Sequence, residues 1–311
     1  MEKVYDCAIL GAGPTGLQAS LILGRSRRNI ALFDDGTNRN RVTQEAHGFL
    51  TRDGVKPAEL RQQGLEEVRK YPSVHFFNET VEQVTKTSNP YFKITSGDRE
   101  YFAERIILAT GIQEVYPQVP EIRNYYGKSL FSCPYCDGWE LKDQPLIVIA
   151  ENEDTAYHMA KLIQNWSKDL LVATNGHELS QYIKKDLEEK GIPVITESIE
   201  GLYGEEGYLD KVVFDSGTEV NIKRGFIAPT FYRPNPFAEN LGCEMQENGQ
   251  IVTDDFNRTS RKNVYVAGEV AQSAPSSLMI AAAEGYKAAV AVNLDITEST
   301  FGCERSLLKW P

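Results

Sequence analysis

A glycine-rich turn near the N-terminus constrains the fold of this chain more than any other feature. The apolar run Val4 to Leu10 predicts a buried strand, and the turn Gly11-Ala12-Gly13-Pro14-Thr15-Gly16 leads from it into a predicted helix. Gly11 permits the tight bend, Gly13 lets the backbone approach a pyrophosphate, and Gly16 lets the helix pack on the strand. The positive end of the helix then faces the phosphates.

The next strand is followed by the acid that such a unit needs. The pattern predicts a strand over Ile30–Phe33, and Asp34 and Asp35 come directly after it. A carboxylate about 20 residues beyond the glycine turn can hydrogen-bond a ribose hydroxyl. Strand, turn, helix, strand and acid in this order predict a dinucleotide-binding unit.

A second strand–turn–helix–strand pattern starts at Leu146–Ala150 and reaches a strand over Leu170–Ala173. Two such strand–turn–helix–strand patterns predict an α/β fold with two Rossmann-like, doubly wound, three-layer domains. Prolines flank the middle segment and mark two linkers: Pro117, Pro120, Pro229, Pro234 and Pro236. We therefore predict a discontinuous first domain over 1–115 and 233–311, and a second domain over 116–232 inserted in it.

The remaining patterns complete the first domain. Residues 56–71 predict a helix, and alternating residues over 73–85 and 90–95 predict an antiparallel excursion from the main sheet. A strand over 264–268 and an alanine-rich helix from about Ser277 then return to that domain.

Charge and composition exclude several classes of partner. The 311 residues carry a formal net charge of −11, which argues against nucleic acid and anionic membranes as partners. No apolar run reaches the roughly 18 residues of a membrane span. The start Met1-Glu2-Lys3 leads into a predicted strand and not into a signal peptide, so we expect a cytoplasmic protein.

Two of the five cysteines form a CxxC pair, Cys133-Pro134-Tyr135-Cys136. A CxxC at a helix start favours thiolate, because the helix dipole and the second sulfur both stabilise it. A zinc site is disfavoured, since there is no second CxxC and the four histidines are scattered. A purely structural disulfide is disfavoured in a reducing compartment. The pair is therefore predicted to be redox-active, with no metal.

Over nearly its whole length the chain resembles the low-molecular-weight thioredoxin reductases and related FAD-linked disulfide oxidoreductases. The motifs that carry the resemblance are Gly11–Gly16, Ala109-Thr110-Gly111, Cys133-x-x-Cys136-Asp137-Gly138, Arg233-Pro234-Asn235 and Ala267-Gly268-Glu269. The resemblance implies FAD at the first site and a homodimer. It assigns the following residues to the cofactor: Gly11, Gly13, Pro14, Thr15, Gly16, Asp34, Asp35, Arg41, His47, Val81, Ala109, Thr110, Gly111, Gly268, Glu269, Ser277 and Leu278.

The resemblance also implies roles for the site residues. Cys136 is the sulfur on the flavin side, Cys133 meets the substrate, and Asp137 is the acid/base carboxylate. In the family an Ala-Gly-Asp element contacts the ribityl chain of the flavin. Glu269 stands at the position of that Asp. Ser277 and Leu278 begin a helix whose N–H groups face the flavin O2 edge and stabilise negative charge there.

The second dinucleotide-type turn departs from the family pattern. Its glycine positions hold Glu151 and Glu153 in the run Glu151-Asn152-Glu153-Asp154-Thr155-Ala156. A side chain there blocks a pyrophosphate, and carboxylates repel it. The run Thr174-Asn175-Gly176-His177 lacks the arginines that hold the 2′-phosphate of NADPH in thioredoxin reductases. NAD(P)H is therefore a doubtful cofactor, although Asn152 before acidic residues is also typical of a well-capped helix.

Three functions are compatible with these residues. The leading hypothesis is NADPH-independent oxidation of a small-molecule or protein dithiol, which the resemblance to the dithiol oxidases of the gliotoxin and holomycin type implies. Gly138 and Trp139 match the Gly and aromatic of those enzymes, whereas Asp137 stands where they commonly carry His and follows the thioredoxin reductase pattern. Electrons would then pass to an acceptor such as O2. The alternatives are a disulfide reductase fed by NAD(P)H or a protein donor, and a non-catalytic flavoprotein redox sensor.

Overall fold

The computed structural model describes residues 3–233, 235–271 and 276–301, so Pro234 and the C-terminal tail lie outside the described residues. The chain forms two compact units. The first unit comprises Met1–Arg41, Ala58–Gln113 and Arg233–Pro311, and the second comprises Val42–Pro57 and Glu114–Tyr232.

The elements are arranged along the chain in this order. The strands are β1 Val4–Tyr5, β2 Cys7–Leu10, β3 Ile30–Phe33, β4 Val74–Phe77, β5 Gln83–Lys86, β6 Phe92–Ser96, β7 Arg99–Ala103, β8 Ile106–Leu108, β9 Gln113–Val115, β10 Leu130–Phe131, β11 Leu146–Ile149, β12 Leu170–Ala173, β13 Val194–Ile195, β14 Ile199–Glu205, β15 Tyr208–Phe214, β16 Glu219–Asn221, β17 Gly225–Ile227, β18 Thr230–Tyr232 and β19 Val264–Val266. The α-helices are α1 Pro14–Arg25, α2 Pro57–Arg69, α3 Ile122–Tyr125, α4 Pro134–Asp137, α5 Glu153–Ile163, α6 Gln181–Glu189, α7 Pro236–Asn240 and α8 Leu278–Phe301.

The first unit is built on a parallel sheet of order β19-β8-β2-β3-β4. Along β2, Cys7 and Ile9 enter one apolar core together with residues of α1 and α8. Ala8 and Leu10 enter a second core on the opposite face of the sheet. Both faces are therefore covered, which explains why strands such as β2 and β3 are continuous apolar runs.

Two strand predictions in this unit were wrong. The run Val4 to Leu10 forms two strands: β1 pairs with β7 in a four-stranded sheet of order β1-β7-β6-β5, and β2 joins the parallel sheet. Asp6 lies between them, and its side chain accepts the N–H of Asn29 at 2.7 Å. The start of the predicted antiparallel excursion, β4, instead pairs in parallel with β3. Among the described residues of this excursion, the antiparallel pairs are β5 with β6 and β6 with β7.

The second unit has a parallel sheet of order β10-β17-β11-β12-β13 and an antiparallel sheet of order β14-β15-β16. Alternate residues of β11 again enter two cores, Ile147 on one face and Val148 on the other. Residues 42–57 belong to this unit, although their position in the sequence predicts them in the first domain. In the described ranges 3–233, 235–271 and 276–301, no helix has the length and apolar character needed to cross a membrane.

The crossing of α1 and α8 depends on one glycine. A Cβ added to Gly285 would lie 2.1 Å from the carbonyl oxygen of Thr15, which is much closer than atoms can approach. We expect Gly285→Ala to lower the free energy of unfolding by about 1–3 kcal/mol, because the two backbones must separate. Chemical denaturation measures this loss. Gly13→Ala is the matched control when both variants are measured without bound cofactor, since a Cβ at Gly13 meets nothing within 4 Å. Equal stability of the two variants would contradict the argument.

Candidate functional site

The first glycine turn closes only because side chains are absent from it. Gly11 has a φ of +104°, and a Cβ there would lie 2.4 Å from the carbonyl oxygen of Ala109, at the end of β8. A Cβ on Gly16 would lie 1.7 Å from the carbonyl oxygen of Gly11. The turn therefore lies at the carboxyl ends of the neighbouring strands β2 and β8, where open α/β sheets bind their ligands.

Gly13 has a different role in the same turn. It is the N-cap of α1, in extended conformation, and Pro14 is the first helical residue. The first turn of α1 holds no acidic residue, and a Cβ on Gly13 would point into open space. The free N–H groups of the helix start can thus meet a phosphate without steric or charge opposition.

The two predicted ribose-binding acids differ in their surroundings. Asp34 is buried; its carboxylate accepts the N–H groups of Ala12 and Gly36 at 2.6 and 2.8 Å and forms an ion pair with Arg61. Asp35 is exposed, and one of its oxygens accepts the N–H of Thr37 at 3.1 Å. Asp34 thus organises the turn, which favours Asp35 as the group that could reach a ribose.

The late elements of the chain return to the same edge of the sheet. Gly268 has a φ of +82°, and a Cβ there would lie 2.4 Å from the hydroxyl of Thr15. Glu269 forms an ion pair with Arg39 at 2.7 Å. Ser277 caps α8 by accepting the N–H of Ile280 at 3.1 Å, and Leu278 is the first residue of that helix.

The other predicted cofactor residues are scattered. Thr110 is exposed after β8, and Gly111 has a φ of +67°. Arg41 donates to the carbonyl oxygens of Thr37 and Asn38 at 3.0 and 3.1 Å. Val81 packs against the core on the second face of the first sheet. His47 belongs to the second unit and not to the set of residues that the first unit brings together.

The cysteine pair comes after the edge strand β10 in the second unit. Cys133 is the N-cap of α4, its carbonyl oxygen accepts the N–H groups of Cys136 and Asp137 at 3.0 and 3.1 Å, and the two cysteines form a disulfide. Both are partly exposed, so a thiol can reach them. Within the part of the chain that the structure describes, no group of three or more His, Cys, Asp or Glu residues is arranged to hold a metal ion.

The pKa of the Asp137 carboxyl lies well above its ordinary value. It is raised to about 7, chiefly by burial, while His47 opposes the rise and Glu140 adds to it. An acid with a pKa near the working pH can both accept and donate a proton efficiently. The sequence predicted this role, whereas the cause of the shift depends on burial that only the structure shows.

Two exposed aromatic side chains lie close to Cys136 in the sequence. Tyr135 and Trp139 are 75% and 67% exposed, and Tyr135 makes an edge contact with Trp166 at 5.6 Å between ring centroids. A Cβ on Gly138 would lie 2.8 Å from the Trp166 ring, so glycine is needed where the short helix ends. The disulfide is thus flanked by exposed apolar surface.

A hydrogen-bonded group beside the disulfide had no sequence signal. Tyr126 donates to Glu114 at 2.8 Å and bonds Ser132 at 2.7 Å, and Ser132 donates to Glu114 at 3.1 Å. Burial is the main cause that raises the pKa of Tyr126 above its usual range. Ser132 directly precedes Cys133, so this group fixes the backbone that enters the redox pair.

The second turn is closed by its own side chains. Glu151 accepts the N–H of Gln118 at 2.6 Å and the side-chain amide of Asn175 at 2.7 Å. Glu153 accepts the N–H of Ser180 at 2.6 Å. Asn152 caps α5 through the N–H of Thr155 at 3.1 Å. The capped helix with an acidic first turn, which the sequence left open as an alternative, is therefore present.

Comparison with known proteins places the chain among disulfide oxidoreductases. The sequence profile "Pyridine nucleotide-disulphide oxidoreductase" matches residues 5–285. A solved structure named as thioredoxin reductase TrxB from Bacillus anthracis is 62% identical with a TM-score of 0.93, covering 96% of this chain and 100% of that one. The structure of HlmI is 30% identical with a TM-score of 0.91, covering 97% and 95%. Thioredoxin reductase sirT from Leptosphaeria maculans is 30% identical, covering 86% and 88%. These matches confirm the predicted resemblance and fold class.

The first turn makes a testable prediction about cofactor binding. Gly13→Ala places a methyl group in the open space where backbone would approach a pyrophosphate, without a clash inside the protein. We expect FAD to bind at least about tenfold more weakly, which corresponds to roughly 1.4 kcal/mol. The increase of flavin fluorescence on release measures the dissociation constant, and the far-ultraviolet circular dichroism spectrum controls for the fold. Unchanged affinity would rule out this turn as the FAD pyrophosphate site.

Proposed function

This chain belongs to the pyridine nucleotide-disulphide oxidoreductase family, and we propose that it oxidises a dithiol to a disulfide without using NADPH. It is an FAD-dependent disulfide oxidoreductase of the thioredoxin reductase-like class. The substrate class we propose is a small-molecule or protein dithiol, which meets the pair Cys133 and Cys136.

The observation that carries the proposal is the state of the second turn. In a dinucleotide site the two glycine positions leave bare backbone for the diphosphate. Here Glu151 and Glu153 fill them, and hydrogen bonds to Gln118, Asn175 and Ser180 hold their carboxylates in place. A bound diphosphate would have to break these bonds as well as displace the side chains.

The charge of these side chains also opposes the binding of a diphosphate. One carboxylate about 5 Å from one phosphate charge costs roughly 3 kcal/mol at an effective dielectric near 20, and under about 1 kcal/mol when fully exposed. Glu151 and Glu153 are partly buried, and Asp154 adds a third acid at the helix start. Since each 1.4 kcal/mol is about tenfold in affinity, a cost of a few kcal/mol from these acids would weaken dinucleotide binding by roughly a hundredfold or more.

The site residues can carry the dithiol reaction in two exchanges. A substrate thiolate attacks Cys133, the disulfide breaks, and the electron pair leaves on Cys136. The second substrate thiol gives its proton to the Asp137 carboxylate and attacks the substrate sulfur of the mixed disulfide, which releases the Cys133 thiolate. The substrate has then lost two electrons and two protons and gained one S–S bond.

The first unit fits the cofactor of the family. The bare backbone at Gly13, the start of α1 and exposed Asp35 would hold the pyrophosphate and a ribose of FAD. When bound, FAD supplies a two-electron acceptor for the reduced cysteine pair, and an external acceptor such as dioxygen, reduced to hydrogen peroxide, restores it.

A second candidate is a disulfide reductase fed by NAD(P)H or by a protein donor. The similarity to proteins named as thioredoxin reductases favours it. The site residues would then work in reverse, and Asp137 would protonate the leaving thiolate. We rank this function second because it needs a donor site that the second turn opposes.

We also propose an oligomeric state, a location and a division into domains for this enzyme. The resemblance supports a homodimer, and the ordinary composition with a reactive CxxC supports a cytoplasmic location. We also propose that 1–115 with 233–311 acts as the FAD-binding domain and 116–232 as the redox-disulfide domain. The segment 42–57, which packs in the second unit, is the exception to this division.

Anaerobic titration separates the two candidate functions. We expect the yellow holoenzyme to keep its flavin absorbance with a large excess of NADPH or NADH and to lose it with dithiothreitol. Cys133→Ala should abolish bleaching by dithiothreitol, because the first exchange requires that sulfur. Rapid bleaching by micromolar NADPH would establish the reductase in place of the oxidase.

The pKa of Asp137 predicts how the reaction depends on pH. Since the carboxylate is the base for the second thiol, its fraction, and with it the rate of bleaching by dithiothreitol, rises as the pH increases through about 7. The ratio of wild type to Asp137→Asn cancels the ionisation of dithiothreitol itself. We expect this ratio to reach roughly 100 or more above the midpoint and to fall below it. A ratio independent of pH would exclude Asp137 as the base.

A further inference from the structure

Glu114 stands out among the residues that the mechanism does not use. It lies in β9, directly after Gln113, at the point where the chain enters the second unit. Because β9 pairs with β18, the backbone of Glu114 is held in a two-stranded sheet. Its side chain accepts hydrogen bonds from three hydroxyl groups further along the chain, those of Tyr116, Tyr126 and Ser132.

The carboxyl oxygens of Glu114 are the acceptors in this group. Oε1 lies 2.8 Å from the hydroxyl of Tyr126 and 3.1 Å from that of Ser132, and Oε2 lies 3.3 Å from the hydroxyl of Tyr116. The Tyr126 and Ser132 hydroxyls are themselves 2.7 Å apart. Each of these two hydroxyls has one proton to donate, so whichever of them donates to the other, the chain of hydrogen bonds ends on Glu114.

The two tyrosine rings of the group are fixed by their packing. Tyr116 and Tyr126 contact each other with 4.7 Å between ring centroids, and the guanidinium of Arg123 lies 4.6 Å from the centroid of the Tyr116 ring. Burial is the main cause that raises the pKa of Tyr126, so its hydroxyl keeps its proton and remains a donor. The hydroxyl of Tyr126 is therefore presented to Glu114 and Ser132 from a defined position.

Ser132 joins the last strand before the redox pair to the redox helix. β10 ends at Phe131, which pairs with Phe226 of β17, and Cys133 is the N-cap of α4. The carbonyl oxygen of Cys133 accepts two N–H groups of the helix, which fixes the backbone on that side. Glu114 and Tyr126 hold the residue on the other side, so the backbone of Cys133 is restrained from both directions.

This restraint affects the equilibrium between dithiol and disulfide. Two thiols form a disulfide more favourably when their backbones already hold them in place, because less freedom is lost as the bond forms. Without the acceptor at Glu114, Ser132 and the adjoining Cys133 would gain freedom. The gain is larger in the dithiol, since the S–S bond to Cys136 restrains Cys133 in the disulfide.

We propose that Glu114 is a positioning residue for the redox pair: through the hydroxyls of Tyr126 and Ser132 it fixes the backbone of Cys133 and thereby favours the Cys133–Cys136 disulfide over the dithiol. Neither a proton nor an electron passes through Glu114. The reduced pair consequently gives up its two electrons more readily. This inference rests on the thiol–disulfide exchange of the proposed function and holds for either direction of the reaction.

The test measures the reduction potential of Cys133 and Cys136 in four holoenzymes: wild type, Glu114→Leu, Glu114→Gln and Tyr157→Phe. Each is equilibrated without oxygen in mixtures of reduced and oxidised dithiothreitol, and alkylation with mass spectrometry gives the ratio of dithiol to disulfide. Tyr157→Phe is the matched control, because the Tyr157 hydroxyl also donates to a carboxylate, that of Asp186, at 2.7 Å in the same unit. This readout needs neither NADPH nor the natural substrate, so failure of the proposed function and failure of this inference are distinguishable.

We expect Glu114→Leu to shift the equilibrium towards the dithiol by about tenfold, which makes the potential less negative by about 30 mV. Glu114→Gln should stay within about twofold of wild type, because its amide oxygen can accept both hydroxyls. Tyr157→Phe should leave the potential unchanged. Tyr126→Phe and Ser132→Ala should each give a smaller shift in the same direction, and neither should add its full shift to that of Glu114→Leu, because the three residues act as one group.

An unchanged potential in folded Glu114→Leu would overturn the inference. Equal shifts in Glu114→Leu and Glu114→Gln would do the same, because the lost charge and not the lost acceptor would then be the cause. So would a shift in Tyr157→Phe as large as that in Glu114→Leu. If the circular dichroism spectrum shows that Glu114→Leu fails to fold, Tyr126→Phe decides, since it removes a single hydroxyl: a shift towards the dithiol supports the inference, and no shift overturns it.

Discussion

Close approach of backbone to backbone is the constraint on which both units depend. In the first unit the turn after β2 meets the end of β8 so closely that no Cβ fits at Gly11. In the second unit a Cβ on Gly225 of β17 would lie 2.1 Å from the carbonyl oxygen of Ile147 in β11. In each unit, therefore, a glycine permits the close contact between backbones at neighbouring parallel strands. The two units differ in the turn that leads into the next helix: the first turn leaves bare backbone at Gly13, whereas the second carries Glu151.

That difference is the basis of the two roles that we propose for a fold built twice. The start of α1 offers unopposed N–H groups to a phosphate, because neither side chains nor acids stand in front of it. At the start of α5 the same helix dipole stabilises the acids of the helix's own first turn, and the Asn152 side chain accepts one of the N–H groups. A well-capped, acidic helix start gains stability and loses affinity for anions. The second unit thus keeps the Rossmann-like architecture and uses it to present Cys133 and Cys136 at the edge strand β10.

Much of this could be read from the sequence, because local patterns encode it. The glycine spacing at Gly11–Gly16, the strand over Ile30–Phe33 and the CxxC at the start of α4 are all properties of short segments. The two wrong strand predictions arose where pairing with strands distant in the sequence decides which sheet a segment joins. Nothing local distinguishes β4, which joins the parallel sheet, from the antiparallel strands after it, because a strand's partner is chosen by the topology of the whole sheet.

The sequence by itself determined the fold class, the CxxC pair followed by Asp137, and the replacement of glycine by Glu151 and Glu153. Only the tertiary structure decided what those acids do, since their partners Asn175 and Ser180 are distant in the chain. It also decided where His47 lies. Burial and charge shift a pKa through neighbours in space, and such neighbours are set by packing of segments that no short pattern connects.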